Sequence, residues 1–226
     1  MEDFRNIITR GYEQTSVEIL SEFSGEKLLD VGCNDGSLTV CIADAVGARE
    51  VYGVDVSEPA VETASERGID AHVLDVSERE LPFPDDYFDV VYSGEVVDYI
   101  TDTERYFAEI RRVLSADGVF LLSTVNLASL HNRLALLSGG LPFPMRPEND
   151  IVHSDEGVGL YELADRVSVV RLDDLSTALH RHGFTVSRVE GCVADHQHVT
   201  PVKAAVDWLI SFVPSLSYRF ILLCHK

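Results

Sequence analysis

Apolar residues along the chain fall into two alternating textures. Short runs rich in Val, Ile and Leu occupy 27–31, 50–54, 71–74, 88–92 and 118–124. Such runs, bounded by turn residues, predict buried strands. Between them lie stretches of helical periodicity, roughly 36–46, 58–66 and 102–114. In "TDTERYFAEIRRVL" the spacing puts Tyr106, Phe107, Ile110, Val113 and Leu114 on one face, with Glu104, Arg105, Glu109 and Arg112 largely outside it. Ser57 ahead of Glu58 and Pro59 predicts a helix start, and Gly68 its end. Strand and helix in strict alternation predict a parallel sheet covered on both faces.

After "GVFLLSTVN" the alternation breaks. Residues 127–170 hold a short apolar helix ("LASLHNRLALL"), a Gly-Pro-rich turn and a mixed segment. Insertions beyond strand ends are where substrate sites usually form. Regularity returns with a helix at "LDDLSTALHRHG", a strand at "FTVSRVEG", a helix at "VKAAVDWLISFV" and a last strand at "SYRFILLCH". The expectation is one domain, 1–226, with an insertion at about 127–170.

The first strand runs straight into a glycine turn, "LLDVGCNDGSL". A strand, a glycine turn and a helix together aim backbone N–H groups and a helix N-terminus at a ligand. A dinucleotide loop reads G-x-G-x-x-G. Here Gly36 falls one position early, which counts against NAD, and Asp35 would sit badly beside a pyrophosphate. Asn34 stands where a middle glycine is common, but asparagine visits positive φ more readily than most residues. Asp55 ends the second strand about 20 residues further on, as expected of a carboxylate that holds ribose hydroxyls.

These residues resemble the motifs of class I S-adenosylmethionine-dependent methyltransferases. "LLDVGCNDG" is similar to the family's first motif, "VYGVDVS" to the second strand, "AHVLDVS" to the third, "FDVVYSGEVVDYI" to the fourth and "RRVLSADGVFLLSTVN" to the fifth. The resemblance implies a Rossmann-like three-layer sandwich. Its sheet would have seven mostly parallel strands in the order 3-2-1-4-5-7-6, the last antiparallel. It implies S-adenosylmethionine as cofactor. Asp30 would hold the methionyl amino group, and Gly32, Cys33, Asn34 and Gly36 would pass close to the ligand. Asp55, with Val56, would take the ribose. Asp75, with Val76, would face the adenine, and Ser93 and Glu95 would border the cofactor. In the fifth strand's approach, Ser115-Ala116-Asp117-Gly118 stands where many relatives carry L-K-P-G-G. Where relatives often have Glu-His, this chain has Asp98-Tyr99. Arg10 could meet the methionine carboxylate and Tyr12 could cover the site.

The chemistry itself is carried by fewer residues. Glu95 and His153 are the catalytic candidates, the histidine as a general base because its pKa lies near neutrality. His131 and Arg133 belong at the rim of the site. His180 and His182 belong to a helix end, where positive charge is favourable. His196 and His198 share one side of an extended segment, but no cysteine or acidic pattern completes a metal site. The insertion resembles segments of small-molecule methyltransferases, including some that modify sugars. A small-molecule or glycan acceptor follows, with a uronic-acid carboxylate or a sugar hydroxyl as target. Two alternatives stay open: a non-catalytic cofactor-binding regulator and an NAD-dependent oxidoreductase.

Charge changes the picture of partners. There are 38 acidic residues against 18 basic ones, a net charge of −20, and Lys27, Lys203 and Lys226 are the lysines. Such a surface repels nucleic acid, whose binding needs cations on phosphates. Acidity with scarce lysine fits adaptation to molar salt, where self-repulsion is screened. No apolar run approaches the roughly 18 residues of a membrane span, and the first residues lack the pattern of a signal peptide. A cytoplasmic protein is expected. Cys33, Cys41, Cys192 and Cys224 form no C-x-x-C pair and read as reduced, mostly buried thiols.

Overall fold

The computed structural model describes residues 11–142, 168, 170–193 and 201–226. Seven strands form one sheet: β1 (Lys27–Val31), β2 (Glu50–Asp55), β3 (Asp70–Val73), β4 (Phe88–Gly94), β5 (Leu114–Val125), β6 (Thr185–Cys192) and β7 (Arg219–His225). Their order is β3-β2-β1-β4-β5-β7-β6, as expected. The pairs from β3 to β5 are parallel, and β7 runs antiparallel to both β5 and β6. The helices are α1 (Tyr12–Leu20), α2 (Ser37–Val46), α3 (Glu58–Glu66), α4 (Thr103–Val113), α5 (Leu130–Leu137), α6 (Leu172–Arg181) and α7 (Pro201–Ser211).

The layers follow from the two-residue period of a strand, which sends neighbours to opposite faces. Leu29, Val91, Leu122 and Leu222 join one core with Phe107 and Ile110 of α4 and Leu175 and Leu179 of α6. Their chain neighbours Leu28, Val90, Leu121 and Ile221 join a second core on the other face, with Leu20 of α1 and Ile42 of α2. Strands buried on both faces need continuous apolar runs, which is why the runs were visible in sequence. Among the described residues, no helix is long and apolar enough to cross a membrane.

Three local features differ from expectation. Residues 115–118, expected as a turn before the strand, lie within β5 as a bulge: Phe88 pairs with Leu114, and the next pair is Val90 with Val119. Helix α5 starts at Leu130 rather than 127. Asn126 takes the Ala128 N–H on its side chain at 2.9 Å, and Ser129 caps the helix by accepting from the Asn132 N–H at 3.3 Å. Ser57 occupies the cap position of α3 but its side chain makes no capping bond. Of the four cysteines, Cys41 is exposed and the other three are buried.

Candidate functional site

The C-terminal ends of β1, β2 and β4 meet around the glycine turn, and two cavities open there side by side. The first, of about 410 Å³, is lined by Gly32, Asp55, Val56, Leu74, Asp75, Val76, Ser77, Glu95 and Tyr99, among others. The second, of about 280 Å³, is lined by Tyr12, Asp30, Cys33, Asn34, Asp35 and Tyr92 among its residues. Gly32 and Gly94 line both, so the two are lobes of one cleft. This is the crevice outside the carboxyl ends of the strands, next to the point where the order reverses between β1 and β4.

The turn is held open by its backbone. Gly32 has φ 80° and Gly36 φ 77°. A Cβ on Gly32 would come within 2.3 Å of Val96, so a side chain there would displace the wall of the cleft. Asn34 adopts φ 47°, the left-handed conformation its type tolerates. The Asp55 carboxylate fixes this loop: Oδ2 accepts from the Asn34 N–H and Oδ1 from the Ser57 N–H, both at 2.9 Å. Asp75 likewise accepts from the Ser77 N–H at 2.8 Å. Asp35 turns to the helix end, accepting from the Ser37 hydroxyl at 2.6 Å and from Arg67 at 3.0 Å.

Asp30 is the most constrained acid. It is buried, and its Oδ2 accepts from the Thr39 hydroxyl at 2.6 Å while Oδ1 has no donor among the described residues. Burial pushes its pKa up to about 7, the Thr39 bond opposing and the Asp55 charge adding. Asp30 lines the smaller lobe, and a carboxylate with an unpaired oxygen there suits a cationic ligand group.

Glu95 leaves β4 at φ 58°, a strained conformation for a non-glycine residue. Its Oε2 accepts from Arg219 Nε at 3.1 Å, and among the described residues its Oε1 lacks a donor. Ser93 differs from expectation: its buried hydroxyl accepts from the Tyr106 hydroxyl at 2.6 Å, and Gly94 and Glu95 reach the cleft instead. The strand period explains this, since Ser93 faces the α4 side. Asp98 is buried and receives a hydrogen bond from the Thr124 hydroxyl, while Tyr99 lines the larger lobe. His131 faces Asp207 of α7, with 3.0 Å between Nε2 and Oδ1. His182 pairs with Glu104 at 2.8 Å, and His180 Nδ1 lies 2.6 Å from the Ser176 carbonyl. Arg10, His153, His196 and His198 lie outside the described residues. Among the described residues no group of His, Cys, Asp and Glu is placed to hold a metal.

Sequence reading missed Tyr99 as a wall residue and Arg219 altogether. The signal for Arg219 was available: a guanidinium opening the strand "RFILLC" in a chain with few cations.

Comparison with known proteins agrees with this geometry. Residues 29–122 match the family model described as a methyltransferase domain. A protein of Mycolicibacterium smegmatis named "Probable S-adenosylmethionine-dependent methyltransferase" is 29% identical over 195 residues, covering 82% of this chain and 72% of that protein. The 27-O-demethylrifamycin SV methyltransferase of Amycolatopsis mediterranei is 30% identical, covering 80% of this chain and 62% of its own length. A crystal structure of an S-adenosylmethionine-dependent methyltransferase from Mesorhizobium loti superposes with a TM-score of 0.64 at 19% identity, covering 97% of this chain and all of that one. The match over 29–122, the strand order and the cleft agree on a methyltransferase that uses S-adenosylmethionine.

Proposed function

We propose that the chain transfers the methyl group of S-adenosylmethionine to an oxygen of a small-molecule or glycan acceptor. The observation that carries this is the two-lobed cleft with a carboxylate at each recognition point: Asp75 and Asp55 in the larger lobe, Asp30 in the smaller. The cofactor has matching parts in the same order. Asp75 and Val76 take the adenine edge, and Asp55 the ribose hydroxyls through lone pairs its two backbone bonds leave free. Asp30 Oδ1 takes the methionyl ammonium. Gly32, Cys33, Asn34 and Gly36 form the floor, and Tyr12 covers the smaller lobe. When bound, the cofactor supplies an electrophilic methyl group on a positively charged sulfur.

The protein's part is to align an acceptor with that methyl and keep water away. Glu95, in the larger lobe next to Gly94, is the candidate at the reacting end. His153 is kept as the candidate general base. The oxygen acceptor is supported by the similarity to the rifamycin methyltransferase, whose name gives an oxygen position. The net charge of −20 supports a salt-rich cytoplasm as its setting and a partner other than nucleic acid.

The test is an incubation with methyl-labelled S-adenosylmethionine and a panel of sugars, glycans and hydroxylated small molecules at 0.1 M and about 2 M salt. Label in a product at either salt supports transfer. Bound cofactor with no labelled product across the panel supports a second reading, a non-catalytic cofactor-binding partner. That reading is favoured by Asp98, which occupies one of the two Glu-His positions and is turned inward. Preferential binding of NAD would overturn both.

A further inference from the structure

Arg219 is a cation in contact with a lining residue of each lobe, and the proposed methyl transfer does not yet use it. It opens β7, opposite Val125 at the C-terminal end of β5. Its side chain is 16% exposed. Its guanidinium carbon lies 4.8 Å from the Tyr12 ring centroid and 5.6 Å from that of Tyr218, so two aromatic rings flank the cation. Nε donates to Glu95. Among the described residues, neither Nη atom has a hydrogen-bond acceptor. A guanidinium carries five donors in a rigid fork, so one edge can hold Glu95 while the Nη edge stays free for a second planar anion.

The position of the fork decides what that anion is. Tyr12 lines the smaller lobe and Glu95 the larger, and Arg219 touches both. The sulfonium joins the ribose to the methionyl chain, so with Asp55 holding the one and Asp30 the other it would fall near Gly32 and Gly94, which line both lobes. Arg219 and a bound sulfonium would together carry two positive charges against the single negative charge of Glu95, so a second anion on the free edge of the fork is favourable. On the strand order, β7 lies beyond β4 and β5 from the cofactor's loop on β1. The free edge of the fork therefore belongs to the incoming acceptor.

We infer that Arg219 binds a carboxylate of the acceptor and that this carboxylate is the group methylated. The inference rests on the proposed methyl transfer and names its substrate class, a carboxylic acid that leaves as a methyl ester. One carboxylate oxygen sits in the Nη fork, and the other forms the new O–C bond with a lone pair. As it does so the C–S bond breaks and its electron pair stays on sulfur, giving a neutral thioether. A carboxylate is already ionised at neutral pH, so no proton moves and no general base is needed. Glu95 acts as a positioning residue that holds the fork in place.

The experiment uses the full chain, tritiated methyl donor, and pools of hexuronates, α-hydroxy acids and fatty acids, each with its primary amide. Label is expected on acids and not on amides, and mild alkali should release it as volatile methanol. The best acid should also bind the protein saturated with S-adenosylhomocysteine, measured by calorimetry. Arg219→Lys keeps the charge and removes the fork; it should raise KM for that acid at least about tenfold while leaving Kd for S-adenosylmethionine within about twofold. Arg219→Gln paired with Glu95→Gln leaves no orphaned buried carboxylate and should lose the acid's binding with unchanged circular dichroism. Alkali-stable label, or amides accepted as well as acids, overturns the inference and leaves methyl transfer standing. A loss of S-adenosylmethionine binding in Arg219→Lys also overturns it, by assigning the fork to the cofactor's own carboxylate. No label on any acid, with the cofactor bound, overturns the inference; methyl transfer itself falls only if the panel of sugars, glycans and hydroxylated small molecules also stays unlabelled.

Discussion

Asp30 and Asp55 are both strand-end aspartates, yet the fold treats them in opposite ways. Asp55 is tied by two backbone N–H donors, so Asp55→Ala removes a ligand contact and releases the Asn34 loop together. Affinity for S-adenosylmethionine should fall by at least about tenfold, consistent with the loss of a charged hydrogen-bond acceptor, and calorimetry measures it. An unchanged Kd would reject the ribose role. Asp30 is buried with one oxygen orphaned, and its pKa in the free protein rises from 3.8 to about 7. Between those values the folded chain holds a proton that the unfolded chain has lost. Stability therefore falls as pH rises through that window, and the loss levels off above the folded pKa. Asp30→Asn should remove this slope, giving a ligand-free protein with a higher melting temperature than wild type at pH 8 and no such gain at pH 4. The same variant should bind the cofactor more weakly, since a neutral amide cannot pair with the ammonium. A parallel pH dependence in variant and wild type would show that Asp30 is not the titrating group.

At the level of elements, the strands were the easiest part to read because burial on both faces makes their apolar runs continuous. The ends of those runs also revealed Asp30, Asp55 and Asp75, since strand ends at a switch point face the cleft. Other features depended on contacts between distant segments. Arg219 is separated from Glu95 by 124 positions and no spacing rule links them. Ser93 and Glu95 looked equivalent, but the strand period buries the first and strain at the strand exit presents the second. Caps show the same limit. Asp102 and Ser57 both look like helix caps, yet Asp102 accepts from the Arg105 N–H at 3.0 Å, whereas the Ser57 side chain caps nothing. The Ser57 N–H is instead bound by Asp55. Asp102→Ala should therefore cost about 1 kcal/mol of unfolding free energy, and Ser57→Ala less than about 0.5 kcal/mol, in denaturant titrations. Equal costs would mean that the cap position, rather than the bond, sets the stability.

At the scale of the molecule, the net charge of −20 acts on every one of these equilibria. Local pairs do not neutralise it. Arg112 is shared between Glu109 and Asp85, and Arg188 between Glu22 and Glu190, so each of these cations already serves two acids. The excess carboxylates repel one another across the surface, and this repulsion is relieved when the chain expands. Salt weakens it through the screening length, which falls from about 10 Å at 0.1 M to about 3 Å at 1 M. Most of the relief should thus arrive below 1 M. If it amounts to about 2 kcal/mol, a chain of this size gains roughly 4–8 °C in melting temperature. Thermal unfolding in potassium chloride from 0.1 to 3 M should show a steep rise up to about 1 M and a shallow one beyond. Sucrose, which strengthens apolar burial without screening charge, should not reproduce the steep part. A flat profile below 1 M would mean that the acids are placed far enough apart not to destabilise the fold. The negative surface would then bear on solubility and partner choice, with no part in holding the cleft together.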